Sequence, residues 1–158
     1  AFQSQVFFLK ERLKDHFQIQ HSSETCVQDR TIFEDAEIFA RNLFEREIMS
    51  ERDDAVYRDL YSGVSQFLKS PDLFIYLRAS TWTLISRIRK RGREYEQGID
   101  KEYLMQLNSL YESWAKEYAR HHQILIIETD DQDIFKDDAW QSEIVQRIHD
   151  EIRRITAA

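Results

Sequence analysis

Apolar residues recur along most of the chain at helical spacing, and two apolar runs have the length of strands. The first periodic set predicts a helix over about 2–17 with one apolar face. Its apolar residues are Phe2, Val6, Leu9, Leu13 and Phe17. The same spacing predicts further helices over about 34–44, 51–69, 81–91, 100–121 and 138–155.

The two apolar runs, 73–77 and 124–127, contain no alternating polar residues, which is typical of strands buried on both faces. Short, β-favouring residues after a polar turn predict a third buried strand near 25–28. Since strands alternate with helices, we expect a helix-rich α/β fold with three layers, in which helices cover both faces of a parallel sheet. We expect residues 1–158 to form a single domain.

Net charge, the length of the apolar runs and the single cysteine argue against several classes of protein. A net charge of −7 argues against sequence-independent binding to nucleic acid, which depends on cations that meet phosphates. No apolar run approaches the length of a membrane span, and no signal peptide is visible. The single cysteine, Cys26, lies in the predicted third strand and is interpreted as a small core residue in a reducing compartment. We therefore expect a cytoplasmic protein without nucleic-acid or membrane partners.

An acid, a base and a hydroxyl follow one another at Asp29, Arg30 and Thr31. They come at the predicted carboxyl end of the third strand, just before a helix, and ligands bind at that edge of open α/β sheets. This combination suits a phosphate and a metal ion. The alternative is a salt bridge at the end of the strand.

Five basic residues crowd into seven positions of an otherwise acidic chain: Arg87, Arg89, Lys90, Arg91 and Arg93. Gly92 is predicted to end their helix, and the segment from there to Gly98 is interpreted as a mobile loop. Guanidinium groups bind phosphoryl oxygens in pairs and stabilise a phosphate during its transfer. In the alternative interpretation, the basic helix end pairs with its own carbonyl groups and with Glu94 or Glu96.

Gln5 and Arg12 are seven positions apart, which places them on the same side of the first helix. Together they could line a pocket for a heterocycle whose edge carries donors and acceptors. From the spacing alone, a solvated helix face is the favoured interpretation.

Several motifs, taken in order, resemble the deoxynucleoside kinases, and in particular the bacterial-type branch that acts on deoxyadenosine, deoxyguanosine and deoxycytidine. Each motif is weak alone, but the ordered set covers nearly the whole chain and is specific. The motifs are Asp29-Arg30-Thr31 with Asp35, the run from Pro71 to Ser80, the stretch from Arg87 to Ile99, Tyr103-Leu104, and Tyr111-Glu112-Ser113-Trp114.

The resemblance implies transfer of the γ-phosphoryl group of ATP to the 5′-hydroxyl of a deoxynucleoside, with Mg²⁺. Arg30 matches the residue that orients the 5′-hydroxyl and the phosphoryl group, and Asp29 matches the acid near the metal and the reacting oxygen. Arg87, Arg91 and Arg93 match arginines of a lid, here residues 87–98, that closes over the phosphates of ATP. The resemblance singles out no other residue as a metal ligand.

The same resemblance assigns the substrate-binding residues. Gln5 matches the glutamine that pairs with the base edge. Arg12 and Asp35 match the pair at the far end of the base pocket, which favours an exocyclic amino group and crowds the methyl group of thymine. Glu96 matches the acid that binds the 3′-hydroxyl of the sugar, and Phe33 is a weaker candidate for a pocket wall.

The chain departs from the family pattern in one respect. It has three glycines and no Gly-x-x-x-x-Gly-Lys-Ser/Thr motif, so the phosphate loop, its strand and the family's general base would precede Ala1. We therefore expect an N-terminally incomplete domain, and we predict that residues 1–158 alone release no nucleoside-dependent ADP.

The resemblance also implies a homodimer formed through the helices over 2–17 and 51–69. Two alternatives remain at this point: a thymidylate-type nucleoside monophosphate kinase and a non-catalytic nucleoside-binding or dimerisation module. The thymidylate type would need a second cluster of cations for the phosphate of its acceptor, and the sequence shows none. Which deoxynucleoside is preferred stays open, because Gln, Arg and Asp can serve all three.

Overall fold

The computed structural model describes residues 1–96, 98–132 and 136–157. Its elements in chain order are α1 (Phe2–Gln20), α2 (Ile32–Glu34), a π-helical segment (Asp35–Ala40), α3 (Arg41–Glu45), α4 (Glu51–Ser65), β1 (Phe74–Arg78), α5 (Thr81–Arg91), a 3₁₀ turn (Glu94–Glu96), α6 (Lys101–Tyr118), β2 (Ile124–Glu128) and α7 (Asp138–Thr156). They divide into two compact units, Ala1–Ser70 and Pro71–Ala158. None of the helices in these ranges combines the length and the apolar character that a membrane span requires.

The first unit is helical, and its core lies where α1, α4 and the continuous helix over 32–45 meet. The core consists of Leu9, Ile32, Ala40, Met49 and Tyr57. The start of α4 is fixed by Ser50, whose side-chain oxygen accepts a hydrogen bond from the Asp53 backbone N–H at 3.2 Å. Serine is among the residue types preferred at this position, so the start of α4 follows from a local feature of the sequence.

The second unit contains a sheet in which β1 and β2 run parallel, with Phe74 opposite Ile124 and Arg78 opposite Glu128. Ile127 is fully buried in this sheet. Phe74 packs edge-on against Trp114 of α6, with ring centroids 4.8 Å apart. Both apolar runs are thus strands, within one residue of their predicted bounds.

The predicted third strand near 25–28 is wrong. Val27 is 94% exposed, and the thiol of Cys26 is exposed as well. A strand is stable only when a neighbouring strand satisfies its backbone groups, and no described residue pairs with this segment. The interpretation of Cys26 as a core residue is wrong for the same reason.

Local signals set the ends of α5. The Ser80 side chain accepts a hydrogen bond from the Thr83 backbone N–H at 3.3 Å, which caps the first turn. Gly92 ends the helix in the left-handed region, with φ of 70°. The end at Gly92 was predicted from the sequence and is confirmed.

Candidate active site

The three residues predicted to line the base pocket, Gln5, Arg12 and Asp35, all lie in the first unit. Gln5 is buried, with 8% of its surface exposed, although the spacing alone favours a solvated face. Asp35 is 4% exposed. Its Oδ2 accepts a hydrogen bond from Arg12 Nε at 3.4 Å. A polar face of α1 therefore turns inward here and brings Arg12 to an acid that lies 23 positions further along the chain.

Opposing effects act on the pKa of the Asp35 carboxyl group. Burial raises its pKa, while the positive charges of Arg12 and Arg30 act in the opposite direction without cancelling the rise. Burial also raises the pKa of Tyr57, and the charges of Asp35 and Glu37 add to that rise. An acid in such a dry setting gains from a ligand that donates hydrogen bonds to it.

The helix that carries Asp35 is unusual. It starts at Ile32 after Thr31, whose backbone N–H donates to the Glu34 carboxylate at 2.7 Å. It then widens into the π-helical segment Asp35–Ala40, which begins at the pocket acid itself. Widened turns of this kind are rare and are frequently found at functional sites.

Asp29 and Arg30 lie exposed at the entrance to this helix. Arg30 has a φ of 63°, a left-handed conformation that is uncommon for any residue other than glycine. Its guanidinium carbon lies 4.0 Å from the centre of the Phe39 ring. The alternative of a salt bridge at the end of a strand presupposed the strand near 25–28, which the described residues do not form.

Phe39 was not singled out from the sequence, although it is an aromatic residue four positions after Asp35 on the same helix. Phe33, which was singled out, packs edge-on against His16 at a centroid distance of 5.9 Å and lies at the border of the core. Its role as a pocket wall stays a prediction.

In the second unit, Arg87 is hydrogen-bonded to the segment that follows β2. Its Nη1 donates to Thr129 Oγ1 at 2.9 Å, and its Nη2 donates to the backbone oxygens of Thr129 and, at 3.1 Å, of Gln132. Thr129 is buried, and its hydroxyl donates to the Arg78 carbonyl at 2.8 Å. Sequence reasoning missed Thr129, whose only signal was a hydroxyl residue directly after an apolar strand.

Arg91 and Arg93 share one carboxylate. Arg91 Nε lies 2.9 Å and Nη2 2.7 Å from Oε2 of Glu96. Arg93 Nη1 lies 3.5 Å from Oε1 of the same residue. This arrangement matches the alternative in which the basic helix end pairs with Glu96, and Gln97, the next residue of the predicted lid, lies outside the described residues.

The start of α5 is also tied to the segment after β2. The Asp130 carboxylate accepts a hydrogen bond from the Ser80 backbone N–H at 2.7 Å. This bond, together with a bond from the Thr83 side chain, lowers the pKa of Asp130. Asp130, which follows β2, therefore anchors the start of α5. A further acid of this segment, Asp133, lies outside the described residues.

The predicted site residues thus fall into two groups. One unit holds Gln5, Arg12, Asp29, Arg30, Phe33 and Asp35, and the other holds Arg87, Arg91, Arg93 and Glu96. That the two groups face one another across a bound substrate stays a prediction.

A buried Gln5, and a buried Asp35 paired with the partly exposed Arg12, in an α/β chain with an arginine-rich helix after a parallel strand, are consistent with a nucleoside- or nucleotide-binding protein. Comparison with known proteins names the family. The chain belongs to the deoxynucleoside kinases, whose family model matches residues 1–153.

Two curated relatives illustrate the match. The chain is 34% identical over 127 residues to the deoxyadenosine kinase of Dictyostelium discoideum, which covers 80% of this chain and 51% of the relative. It is 31% identical over 150 residues to the deoxyadenosine/deoxycytidine kinase of Bacillus subtilis, which covers 94% of this chain and 69% of the relative. The chain thus spans about half the length of the first of these relatives, at 51%.

Solved structures agree. A deoxyadenosine kinase from M. mycoides with the products dCMP and dCDP is 34% identical and has a TM-score of 0.78, over 94% of this chain and 73% of that one. The same enzyme with bound dATP gives 33% identity and a TM-score of 0.76, with the same coverage of 94% and 73%. The predicted fold class, a helix-rich α/β protein of the phosphate-loop nucleoside kinase type, is confirmed.

Proposed function

We propose that this chain supplies the base pocket and the arginine lid of an ATP-dependent deoxynucleoside kinase. The enzyme transfers the γ-phosphoryl group of ATP to the 5′-hydroxyl of deoxyadenosine, deoxyguanosine or deoxycytidine. The observation that carries the proposal is that α1 holds a buried Gln5 together with Arg12, whose guanidinium pairs with the buried Asp35, in a member of this family.

The pocket chemistry supports an amino-substituted base. Gln5 offers both a donor and an acceptor, which match the alternating groups on the edge of a base. Asp35 is buried with a raised pKa, so a donated hydrogen bond from an exocyclic amino group relieves its desolvation. Thymine lacks that amino group and places a methyl group in the same region. The pair of Arg12 and Asp35 therefore disfavours thymine.

Phosphoryl transfer needs positioning and positive charge more than covalent chemistry. We propose that Arg30 orients the 5′-hydroxyl, and that Arg87, Arg91 and Arg93 bind the phosphates of ATP. The left-handed backbone of Arg30 and the contact of its guanidinium group with Phe39 support this role, because both restrict the directions that the side chain can take.

We propose that Mg²⁺ accompanies ATP. The described residues contain no group of three side chains that could hold a metal ion by themselves. Magnesium in kinases is held by one or two carboxylates together with the phosphates of the substrate, and the exposed Asp29 fits that requirement. The ion, when bound, neutralises the charge that develops on the phosphates.

We propose a homodimer formed through α1 and α4, which pack against each other in the first unit. Large apolar side chains remain exposed on both helices, and exposed patches of this kind mark interaction surfaces. They are Phe7, Phe8, Val56 and Leu60. We also propose a cytoplasmic location, which the exposed thiol of Cys26 supports because a reducing compartment tolerates it.

The test uses the gene product that contains residues 1–158, with radiolabelled ATP and five acceptors: deoxyadenosine, deoxyguanosine, deoxycytidine, thymidine and thymidine monophosphate. We expect label in the monophosphates of the first three. Label that appears mainly in thymidine diphosphate would identify a thymidylate-type kinase instead. Nucleoside binding without any transfer would identify a non-catalytic module.

A further inference from the structure

The carboxylate of Glu96 lies between two arginines, Arg91 and Arg93. It is buried in a short 3₁₀ turn, with 9% of the residue exposed. Arg91 directs both Nε and Nη2 at its Oε2, at 2.9 and 2.7 Å, and Arg93 approaches its Oε1 at 3.5 Å. Both oxygens are thus engaged by cations.

Glu96 contacts the side of the Arg91 guanidinium group that carries Nε and Nη2. A guanidinium group binds carboxylates and phosphates through a fork of parallel N–H groups, and one such fork consists of Nε and one terminal nitrogen. Glu96 fills that fork of Arg91 completely. A phosphate group that approaches from the same side must therefore displace Glu96, and it gains the charge-assisted hydrogen bonds that the carboxylate loses.

The rest of α5 is fixed, so the exchange is local. Asp130 holds the Ser80 end of the helix, and Thr129 holds Arg87. The chain leaves the helix through Gly92 in a left-handed conformation, with no atom close to the position where a Cβ would stand. Glu96 and Arg93 can accordingly separate from Arg91 by rotation at Gly92 without disturbing those anchors.

We propose that Glu96 is an internal competitor for phosphate. In the chain without ligand it occupies Arg91 and Arg93, and a polyphosphate binds these arginines only by displacing it. The inference rests on the proposed function, in which these arginines bind the phosphates of ATP. It adds that Glu96 keeps Arg91 and Arg93 paired until a polyanion binds them.

The experiment titrates inorganic tripolyphosphate into residues 1–158 and follows the Nε–Hε signals of the arginines by NMR. The Glu96→Gln variant is compared with Glu94→Gln, which removes the same charge from an exposed residue of the same turn. Since the long-range charge effect is equal in the two variants, it cancels in the comparison. We expect Glu96→Gln to bind tripolyphosphate about tenfold more tightly than Glu94→Gln, as expected for the loss of a competing charge-assisted hydrogen bond.

A second measurement needs no variant. In the wild-type chain, the Arg91 Nε–Hε signal should shift with the same saturation curve as tripolyphosphate binding, because that N–H group changes partner from Glu96 to phosphate. Saturable binding that leaves this signal unchanged overturns the proposal, and so do equal affinities of the two variants.

A further variant, Arg91→Gln, separates this proposal from the proposed function. If this variant weakens binding while Glu96→Gln equals Glu94→Gln, the phosphate role of Arg91 stands and the competitor role fails. If no form of the chain binds tripolyphosphate, both fail.

Discussion

Asp35 is a buried acid whose environment disfavours its charged form. Its side chain is buried, its pKa is raised by that burial, and the Arg12 contact at 3.4 Å is too long to be a strong hydrogen bond. Evolution commonly retains such strained charges at functional sites. Two predictions follow from this residue, one on stability and one on the choice of base.

Replacing Asp35 with asparagine should raise the free energy of unfolding at pH 7. A raised folded-state pKa means that the folded chain binds more protons than the unfolded chain between the two pKa values, so stability falls as pH rises through that window. The gain of Asp35→Asn should therefore shrink as pH is lowered towards about 4, the ordinary pKa of an aspartate.

Urea unfolding across this pH range measures the difference, with the exposed Asp59→Asn as the control. A gain that is constant with pH, or equal in Asp59→Asn, would contradict this explanation.

Replacing Asp35 with alanine should relax the choice of base. Removal of the carboxylate opposite Arg12 leaves room for a methyl group and removes the acceptor for an exocyclic amino group. We expect the preference for deoxyadenosine over thymidine to fall by about tenfold or more, since one lost charged hydrogen bond has that effect. Competition binding with the two nucleosides measures the ratio, and an unchanged ratio counts against the assignment of the pocket.

At the residue scale, the sequence indicated candidate site residues, but it did not indicate the surroundings of their side chains. The ordered motifs singled out Gln5, Arg12 and Asp35, yet spacing alone favoured a solvated face for Gln5 because the side that a helix buries depends on its partners. The left-handed φ of Arg30 could not be predicted, since this conformation is uncommon for non-glycine residues and is imposed by the surrounding structure. The clamp of Arg87 on Thr129 joins residues 42 positions apart, beyond the reach of local patterns.

At the scale of elements, the end of α5 depends on the backbone conformation of Gly92. The left-handed φ of this residue ends the helix and redirects the chain that follows. Gly92→Ala should destabilise the second unit by about 1 kcal/mol, since an alanine at positive φ is strained. Gly63→Ala is the matched control. This glycine lies inside α4 with no atom close to an added Cβ, so alanine there should stabilise by about 0.5–1 kcal/mol.

Thermal unfolding of the two variants should therefore show shifts of opposite sign. Shifts of the same sign would mean that Gly92 is not the point at which the backbone needs glycine.

The cap of α4 gives a second prediction at this scale. Ser50→Ala removes the acceptor of the Asp53 N–H group and should cost about 1 kcal/mol, while Ser50→Asp should cost much less. Chemical denaturation of the three forms measures the differences. Equal losses in both variants would mean that the serine contributes through packing and not as a cap.

Helices were predicted well because their spacing is a local signal, and strand identity was predicted well where the apolar runs were long. The segment over 25–28 failed because β-favouring residues form a strand only beside another strand, which is not a local property. The π-helical segment Asp35–Ala40 also lay beyond prediction, since apolar spacing does not distinguish it from an α-helix.

At the scale of the whole molecule, the described chain consists of one helical unit and one α/β unit. The proposed base pocket belongs to the first, and the arginine segment belongs to the second. The deoxynucleoside kinase family model matches residues 1–153, which include parts of both units.

A dimer through α1 and α4 makes a further prediction. Leu60→Asp places a charge on the exposed apolar face of α4 and should convert the dimer into a monomer, because burying an unpaired charge is strongly unfavourable. Sedimentation velocity measures the mass, and Asp59→Asn on the same helix is the control. A monomeric wild-type chain, or a Leu60→Asp variant that remains dimeric, would contradict this interface.

The most direct test of the account is a crystal structure of the gene product that contains this chain, bound to deoxyadenosine and a non-hydrolysable analogue of ATP. The account predicts the base against Gln5 and Asp35, the 5′-hydroxyl beside Arg30, and the phosphates held by Arg91 and Arg93 after Glu96 has moved away. A base bound elsewhere, with Arg91 still paired to Glu96 and no phosphate near it, would contradict it.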